Sequence, residues 1–197
     1  MELALWNNIG GTSLSGLTNL ATYPNAPEEV RHLTSFNTGP DFAENYGGNI
    51  TGFFIPPTSG DWIFYLRSDD ASQLWFDKND GAGLVQVQEE TGCCGAFSGH
   101  ATAAITLVAG EKYPIQVLYK EGGGGDYAQV AARLASDTTT ALAPISGAFL
   151  GGYADPTGVS LAITQQPADQ SFLILAPIAG AGRVREEGAR EGGAELA

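Results

Sequence analysis

The sequence contains few of the residues that several kinds of functional site require. Its 197 residues include two cysteines and two histidines, but Cys93 and Cys94 are adjacent, and no CxxC motif or zinc-binding set can be built from them with His32 and His100 alone. The chain has nine basic and 22 acidic residues, and its net charge of −13 argues against a nucleic-acid-binding surface. No apolar run approaches the ~20 residues of a membrane span. We therefore expect neither a nucleic-acid partner nor a membrane span.

The common signatures of catalysis are also missing. The sequence has no Gly-x-Ser-x-Gly or His-Glu-x-x-His pattern, and neither histidine has an obvious nucleophile beside it. A glycosidase needs only two carboxylates, so the acidic residues leave that class open.

The composition is typical of a turn-rich all-β protein. Hydrophobic residues make up 43% of the chain, which also has 27 glycines, 10 prolines and no long helical periodicity. The length suffices for one domain with a proper core and additional segments. Residues 28–33 suggest one short helical turn. Nine strand residues are expected to point inward: Trp62, Phe64, Leu74, Phe76, Ile105, Leu107, Ile115, Val117 and Val130.

The stretch 60–76 organises the rest of the chain. Two aromatic and β-branched runs flank the small polar residues 68–72, which predicts a tight turn between paired strands. Asp69 and Asp70 therefore sit side by side at a sheet end. Adjacent ionised acids repel each other, and a hard, oxygen-seeking cation would relieve that repulsion. The alternative is that both acids only cap backbone groups of the turn.

A second candidate segment is the run of four glycines at 122–125, followed by Asp126. Consecutive glycines cost backbone entropy, so such a loop suggests positive φ angles or carbonyls exposed at close range. Together with the two aspartates, these oxygens could approach the ~6–8 ligands that calcium prefers. The alternative is a flexible hairpin loop without a ligand.

Four signatures in the same order resemble the PA-fourteen domain family, whose fungal relatives include flocculins and epithelial adhesins. They are residues 46–64 (YGGNITGFFIPPTSGDWIF), the Ser68-Asp69-Asp70 step, residues 107–113 (LVAGEKY) and residues 120–126 (KEGGGGD). The resemblance covers roughly residues 3–134. It implies an antiparallel, jelly-roll-like β-sandwich with long loops at one end.

The resemblance also implies a calcium-dependent, non-catalytic carbohydrate-binding module. In the lectin members of the family, an aspartate pair joined by a cis peptide holds calcium, which binds neighbouring sugar hydroxyls; Asp69 and Asp70 match that pair. The fungal lectins add an asparagine from the later loop, and this chain has none between residues 120 and 134. Asp126 and the carbonyls of Gly123 and Gly125 are therefore expected to replace it.

The remaining predicted sugar contacts come from residues near these ligands. The sugar site is expected to comprise Asp69, Asp70, Phe97, Asp126 and Tyr127, with Phe97 as the stacking ring of a variable loop. Cys93 and Cys94 lie in that loop and could form a rigid, apolar ring beside the sugar. Two free thiols or an intermolecular bond are equally open.

These features predict how the chain is divided and where it works. Residues 1–136 are predicted to form the domain, 137–158 a linker, 159–176 a truncated start of an immunoglobulin-like repeat, and 177–197 a disordered tail. We expect a monomeric module of a larger secreted or cell-surface protein, with a glycan or polysaccharide as partner. Its parent could carry a separate glycosidase domain, and no export signal is seen in this fragment. The alternative is a structural or protein-interaction module of the same fold without sugar affinity.

Overall fold

A computed structural model describes residues 1–153, which form ten strands, one short helix and two 3-10 turns. Predictions for residues 159–176 and 177–197 lie outside the described residues. The helix α1 is Ser15–Thr18, and the 3-10 turns are Phe97–Gly99 and Gly147–Phe149. The strands are Glu2–Trp6 (β1), Glu29–His32 (β2), Tyr46–Phe54 (β3), Gly60–Asp69 (β4), Ser72–Phe76 (β5), Val85–Glu90 (β6), Ile105–Leu107 (β7), Tyr113–Glu121 (β8), Tyr127–Leu134 (β9) and Leu150–Gly151 (β10).

The strands form two antiparallel sheets that pack face to face. The larger sheet has the order β2-β1-β3-β8-β5-β6, and β10 pairs with the end of β3. The smaller sheet has the order β7-β4-β9. The predicted antiparallel β-sandwich is confirmed.

The core lies between the sheets and follows the two-residue alternation of their strands. In β8, for example, Ile115, Val117 and Tyr119 are almost completely buried, and Phe64 and Val130 of the smaller sheet join the same cluster. Burial of each such side chain contributes about 1.5–3 kcal/mol. All nine residues that the sequence predicts to point inward belong to this cluster.

Two loops cross from one sheet to the other at the same end of the sandwich. One joins β4 to β5 through the aspartate pair, and the other joins β8 to β9 through the glycine run. The prediction that residues 68–72 form a turn between paired strands is wrong, because β4 and β5 lie in different sheets. β8 and β9 also lie in different sheets, so the glycine run is not a hairpin loop. Strand register aligns the loops, since Asp69 pairs with Tyr127 and Ser72 pairs with Tyr119. Two segments distant in sequence therefore meet.

Two further predictions are corrected by strand pairing. Residues 28–33 do not form a helical turn, because residues 29–32 pair with β1 as strand β2. Residues 137–151 are not a linker: Ile145 is 5% exposed, its N–H donates to Val130 and its carbonyl accepts from Phe36. The domain therefore includes β10. Within residues 1–153, no helix has the length and apolar character needed to cross a membrane.

Candidate metal centre

The aspartate pair is held at the point where the chain leaves β4. Its peptide bond is cis, as the family resemblance implies. The Asp70 N–H donates to the Lys120 carbonyl at 3.0 Å, and the buried Ser68 hydroxyl donates to the Asp70 carbonyl at 2.5 Å. The first bond ties the pair to β8, and the second ties it to β4.

Glu121, the last residue of β8, is a third carboxylate at this site. One oxygen from each of Asp69, Asp70 and Glu121 can be chosen so that all three lie within 4.8 Å of one another. Glu121 is 0% exposed, and neither of its carboxylate oxygens has a hydrogen-bond partner among the described residues. We call Asp69, Asp70 and Glu121 the carboxylate triad.

Glu121 was missed by the sequence analysis, although the strand pattern contains the signal that places it. The inward-facing residues of β8 alternate through Ile115, Val117 and Tyr119, and the next position in that series is Glu121. A charged residue at the inner end of a core strand is rarely buried without a compensating partner.

The pKa values of Asp69 and Glu121 indicate that the negative charge around these two carboxylates is poorly compensated. Burial raises the pKa of Asp69, and the charges of Asp70, Asp126 and Asp41 raise it further. Burial, followed by repulsion from Asp70 and Asp69, raises the pKa of Glu121 to about 7. A cation bound among these oxygens would reverse both effects.

Lys120 lies close to the triad, but its ammonium group bonds elsewhere. Its Nζ donates to the backbone carbonyl of Glu121, and the side chain is completely buried. Burial lowers the pKa of Lys120, although the charges of Glu121 and Asp70 oppose this change. Lys120 therefore adds a positive charge near the triad, but its ammonium group donates to a backbone carbonyl and not to the Glu121 carboxylate.

The glycine loop lies directly against the triad. The Gly122 N–H donates to Oδ2 of Asp70 at 3.0 Å, and a Cβ placed on Gly125 would lie 3.2 Å from Oδ2 of Asp69. Within residues 1–153, the carbonyls of Gly123 and Gly125 accept no hydrogen bond. Gly124 has a φ of 117°, which favours glycine. The loop is close enough to offer peptide oxygens, and the role of Gly123 and Gly125 as ligands stays a prediction.

Asp126 lies beside the triad, but its carboxylate points into the domain. Oδ1 accepts from the Phe42 N–H at 2.7 Å, and Oδ2 accepts from the Ala43 N–H and the Tyr46 hydroxyl, both at 2.9 Å. Asp126 is 1% exposed. The prediction that it binds metal and sugar is therefore corrected. Three donors hold its carboxylate away from solvent, and these hydrogen bonds anchor the 42–46 segment.

We expect Asp126→Asn to lower the free energy of unfolding by about 2 kcal/mol, because an amide cannot accept from all three donors. Urea unfolding with a chelator present measures the change. The control is Asp80→Asn at an exposed turn, where the carboxylate accepts from the Ala82 N–H. Calcium affinity lost without any loss of stability would restore Asp126 as a ligand.

The two predicted aromatic contacts differ in their surroundings. Phe97 is 8% exposed and packs with Tyr65 and Ala131, so it has no open ring face and its predicted stacking role is corrected. Tyr127 is half-buried, and the Arg67 guanidinium lies 4.6 Å from its ring centre. Tyr127 pairs with Asp69 across the strands, and its contact with sugar stays a prediction.

The cysteine pair lies on the other side of Asp69. Cys93 and Cys94 are joined in a disulfide, and both residues are exposed. Cys93 forms an isolated β-bridge with Asp69, and the Cys94 N–H donates to the Ser68 carbonyl at 2.9 Å. Both sulfurs lie within 4.8 Å of an Asp69 carboxylate oxygen.

Solved structures with the same fold carry a similar arrangement of sheets. A PA14 sugar-binding domain from an RTX adhesin is 12% identical, with a TM-score of 0.58 over 77% of this chain and 97% of that one. The epithelial adhesin 6 A domain of Candida glabrata, solved with Galβ1-3GlcNAc, is 14% identical, with a TM-score of 0.54 over 82% and 92% of the two chains. The model of the GLEYA domain, a PA14-like family, matches residues 46–133.

Residues 46–133 of this chain are therefore similar to the GLEYA domain. The resemblance to the PA-fourteen family is confirmed by this match and by the shared fold. The segment of this chain that matches the GLEYA model contains the whole carboxylate triad, the disulfide and the glycine loop. Strands β1 and β2 precede this segment.

One curated relative places a similar segment within a much larger enzyme. The mouse N-acetyl-beta-glucosaminyl-glycoprotein 4-beta-N-acetylgalactosaminyltransferase 1 is 26% identical over 144 residues. The match covers 68% of this chain and 14% of the enzyme, so it concerns one part of that protein.

Proposed function

We propose that the described domain is a non-catalytic module that binds carbohydrate through a calcium ion. The observation that carries this proposal is the carboxylate triad, with three carboxylate oxygens within 4.8 Å and both oxygens of Glu121 buried without a donor. A buried, unpaired carboxylate is costly, and a bound cation would compensate it.

The chemistry of the donor set favours calcium over a transition metal. Asp69, Asp70 and Glu121 offer carboxylate oxygens, and the exposed loop offers peptide oxygens from Gly123 and Gly125. Hard oxygen donors suit calcium, which accepts six to eight of them in flexible geometry and tolerates water at open positions. The nearby sulfurs are joined in a disulfide, so they supply no thiolate for zinc.

The position of the triad suits a sugar ligand. When bound there, calcium supplies open coordination positions for two neighbouring hydroxyls of a sugar ring. The residues of the chain would orient that sugar from two sides: the glycine loop, exposed at Gly123, Gly124 and Gly125, and the loop that carries the disulfide. Of the two similar solved domains, one is a sugar-binding domain and the other was solved with a disaccharide, which supports a glycan as the ligand.

The same comparisons support a location and a context. Adhesin domains act at surfaces, so we propose a secreted or cell-surface protein in which this domain is one monomeric module. The partial match to the mouse enzyme supports a module that occurs together with other domains.

Binding of the domain to a glycan array, measured first with calcium and then with a chelator, tests the proposal. We expect binding to at least one class of glycan with calcium, and loss of that signal in the chelator. Binding that persists in the chelator contradicts the calcium bridge. Calcium uptake by calorimetry without any glycan signal would favour a structural or protein-interaction module, and release of soluble sugar from the printed glycans would indicate hydrolysis.

A further inference from the structure

We propose that the Cys93–Cys94 disulfide forms an apolar wall of the carbohydrate site and contacts the C–H edge of the bound sugar. This inference rests on the proposed function, because it assigns a second contact to the same ligand.

Asp69 connects the disulfide to the metal centre. One of its carboxylate oxygens belongs to the triad with Asp70 and Glu121, and one lies within 4.8 Å of both Cys93 and Cys94 sulfurs. The sulfurs therefore lie next to a carboxylate that would hold the cation, and we expect a sugar bound to that cation to reach them. Both cysteines are exposed, so nothing in the described domain covers this surface.

The disulfide adds little to the stability of the fold. A disulfide stabilises mainly by closing a long loop in the unfolded chain, and this one joins sequence neighbours. The position of the cysteine pair is fixed by other bonds, including the hydrogen bond from the Cys94 N–H to Ser68 and the β-bridge from Cys93 to Asp69.

The far side of the loop is anchored independently of the sulfurs. The His100 Nε2 atom lies 2.8 Å from Oε2 of Glu90, and its Nδ1 atom lies 3.0 Å from the Glu89 carbonyl. Gly95 packs against this pair, because a Cβ there would lie 2.8 Å from the His100 Nε2. The loop therefore presents the disulfide as a preformed surface.

The chemistry of the disulfide fits the part of a sugar that the metal leaves free. A pyranose that offers two hydroxyls to a cation turns C–H groups toward the neighbouring wall. Sulfur is polarisable and apolar, which favours dispersion contacts with such groups. Phe97, the aromatic residue of this loop, is buried, whereas both cysteines are exposed, so this loop presents the disulfide beside Asp69 and not an aromatic ring.

The test compares the natural chain with the double variant Cys93→Ala/Cys94→Ala on the same printed glycans, with calcium present. We expect glycan affinity to fall about tenfold, the factor for losing one or two methylene-sized contacts. Calorimetry with calcium alone should show metal affinity within about twofold of the natural chain, because no ligand oxygen is removed. The control is Ser98→Ala, an exposed residue of the same loop, which should change neither.

Three results would contradict the proposal or its basis. Unchanged glycan affinity in the double variant overturns the contact, and an equal loss of glycan and calcium affinity shows that the cysteines act on the metal centre instead. If the natural chain binds no printed glycan, the proposed function fails before the disulfide is tested. Reduction of the folded natural chain with a phosphine should reproduce the loss, which keeps the test decisive should the double variant fail to fold.

Discussion

Asp69→Asn is expected to abolish calcium binding at the calcium concentrations used in a calorimetric titration. Asp69 contributes to the triad and lies against Gly125, so the substitution removes a formal charge from the centre of the site. We expect calcium affinity to fall about a hundredfold or more, since even loss of an outer-shell partner costs metal sites about 10- to 100-fold. Calorimetric titration of calcium measures this effect directly, and glycan binding should disappear with it.

The matched control for this variant is Asp61→Asn. Asp61 lies on the same strand and points to the same side as Asp69, but it is exposed and accepts a hydrogen bond from the Thr106 hydroxyl at the other end of β4. Its substitution should leave calcium affinity unchanged. Full calcium affinity in Asp69→Asn would refute the proposed metal centre.

Glu121→Gln is expected to have two effects of opposite sign. Calcium affinity should fall, because a charged oxygen is replaced by a neutral one. The metal-free protein should become more stable at pH 8, by about 1–3 kcal/mol, because a buried carboxylate without a hydrogen-bond donor is removed. Urea unfolding with a chelator, and calcium titration of the same samples, measure the two effects separately.

The stability effect has a defined pH dependence. The pKa of Glu121 is about 7 in the folded chain, and that of an unperturbed glutamate is about 4.3. A carboxyl with a raised folded pKa destabilises the fold above that pKa, and the penalty disappears as the pH falls towards its unfolded value. The stability gained by Glu121→Gln should therefore be large at pH 8 and small at pH 5, with chelator present throughout.

Glu90→Gln provides the control, because Glu90 is also a buried glutamate but has partners. Its carboxylate accepts from the Gly92 N–H and lies 2.8 Å from His100. Its substitution should destabilise the domain, in contrast to Glu121→Gln. Destabilisation of the metal-free protein by Glu121→Gln at pH 8 would mean that Glu121 has a favourable partner there.

Strand identity and core residues could be predicted because they depend on local patterns. Alternation of apolar residues along β4, β5, β8 and β9 identifies the inward face without knowledge of the pairing. Which strands pair with each other is not a local property. This is why the sequence suggested a turn between paired strands at residues 68–72, where the chain changes sheets. The strand 29–32 was missed for a related reason: all four residues are exposed, so no alternating pattern marks them.

The candidate site was predicted in part, and its errors concern side-chain direction. Adjacent aspartates and a glycine run are visible in the sequence, and the fold brings them together. The sequence does not show that Asp126 turns inward to three donors, or that Phe97 is covered. Glu121 directly precedes the glycine run, so the sequence pattern places it in the loop, whereas the structure makes it the last residue of the core strand β8.

The register of β3 has a practical consequence for handling the domain. β3 runs from Tyr46, which pairs with Glu121, to Phe54, which pairs with Leu150. At ~3.3 Å per residue, the two ends of β3 are about 26 Å apart. Met1 is near Gly152 at that distant end. A tether attached at Met1 would thus leave from the pole opposite the carboxylates, so surface immobilisation through this end should keep the ligand-facing loops accessible.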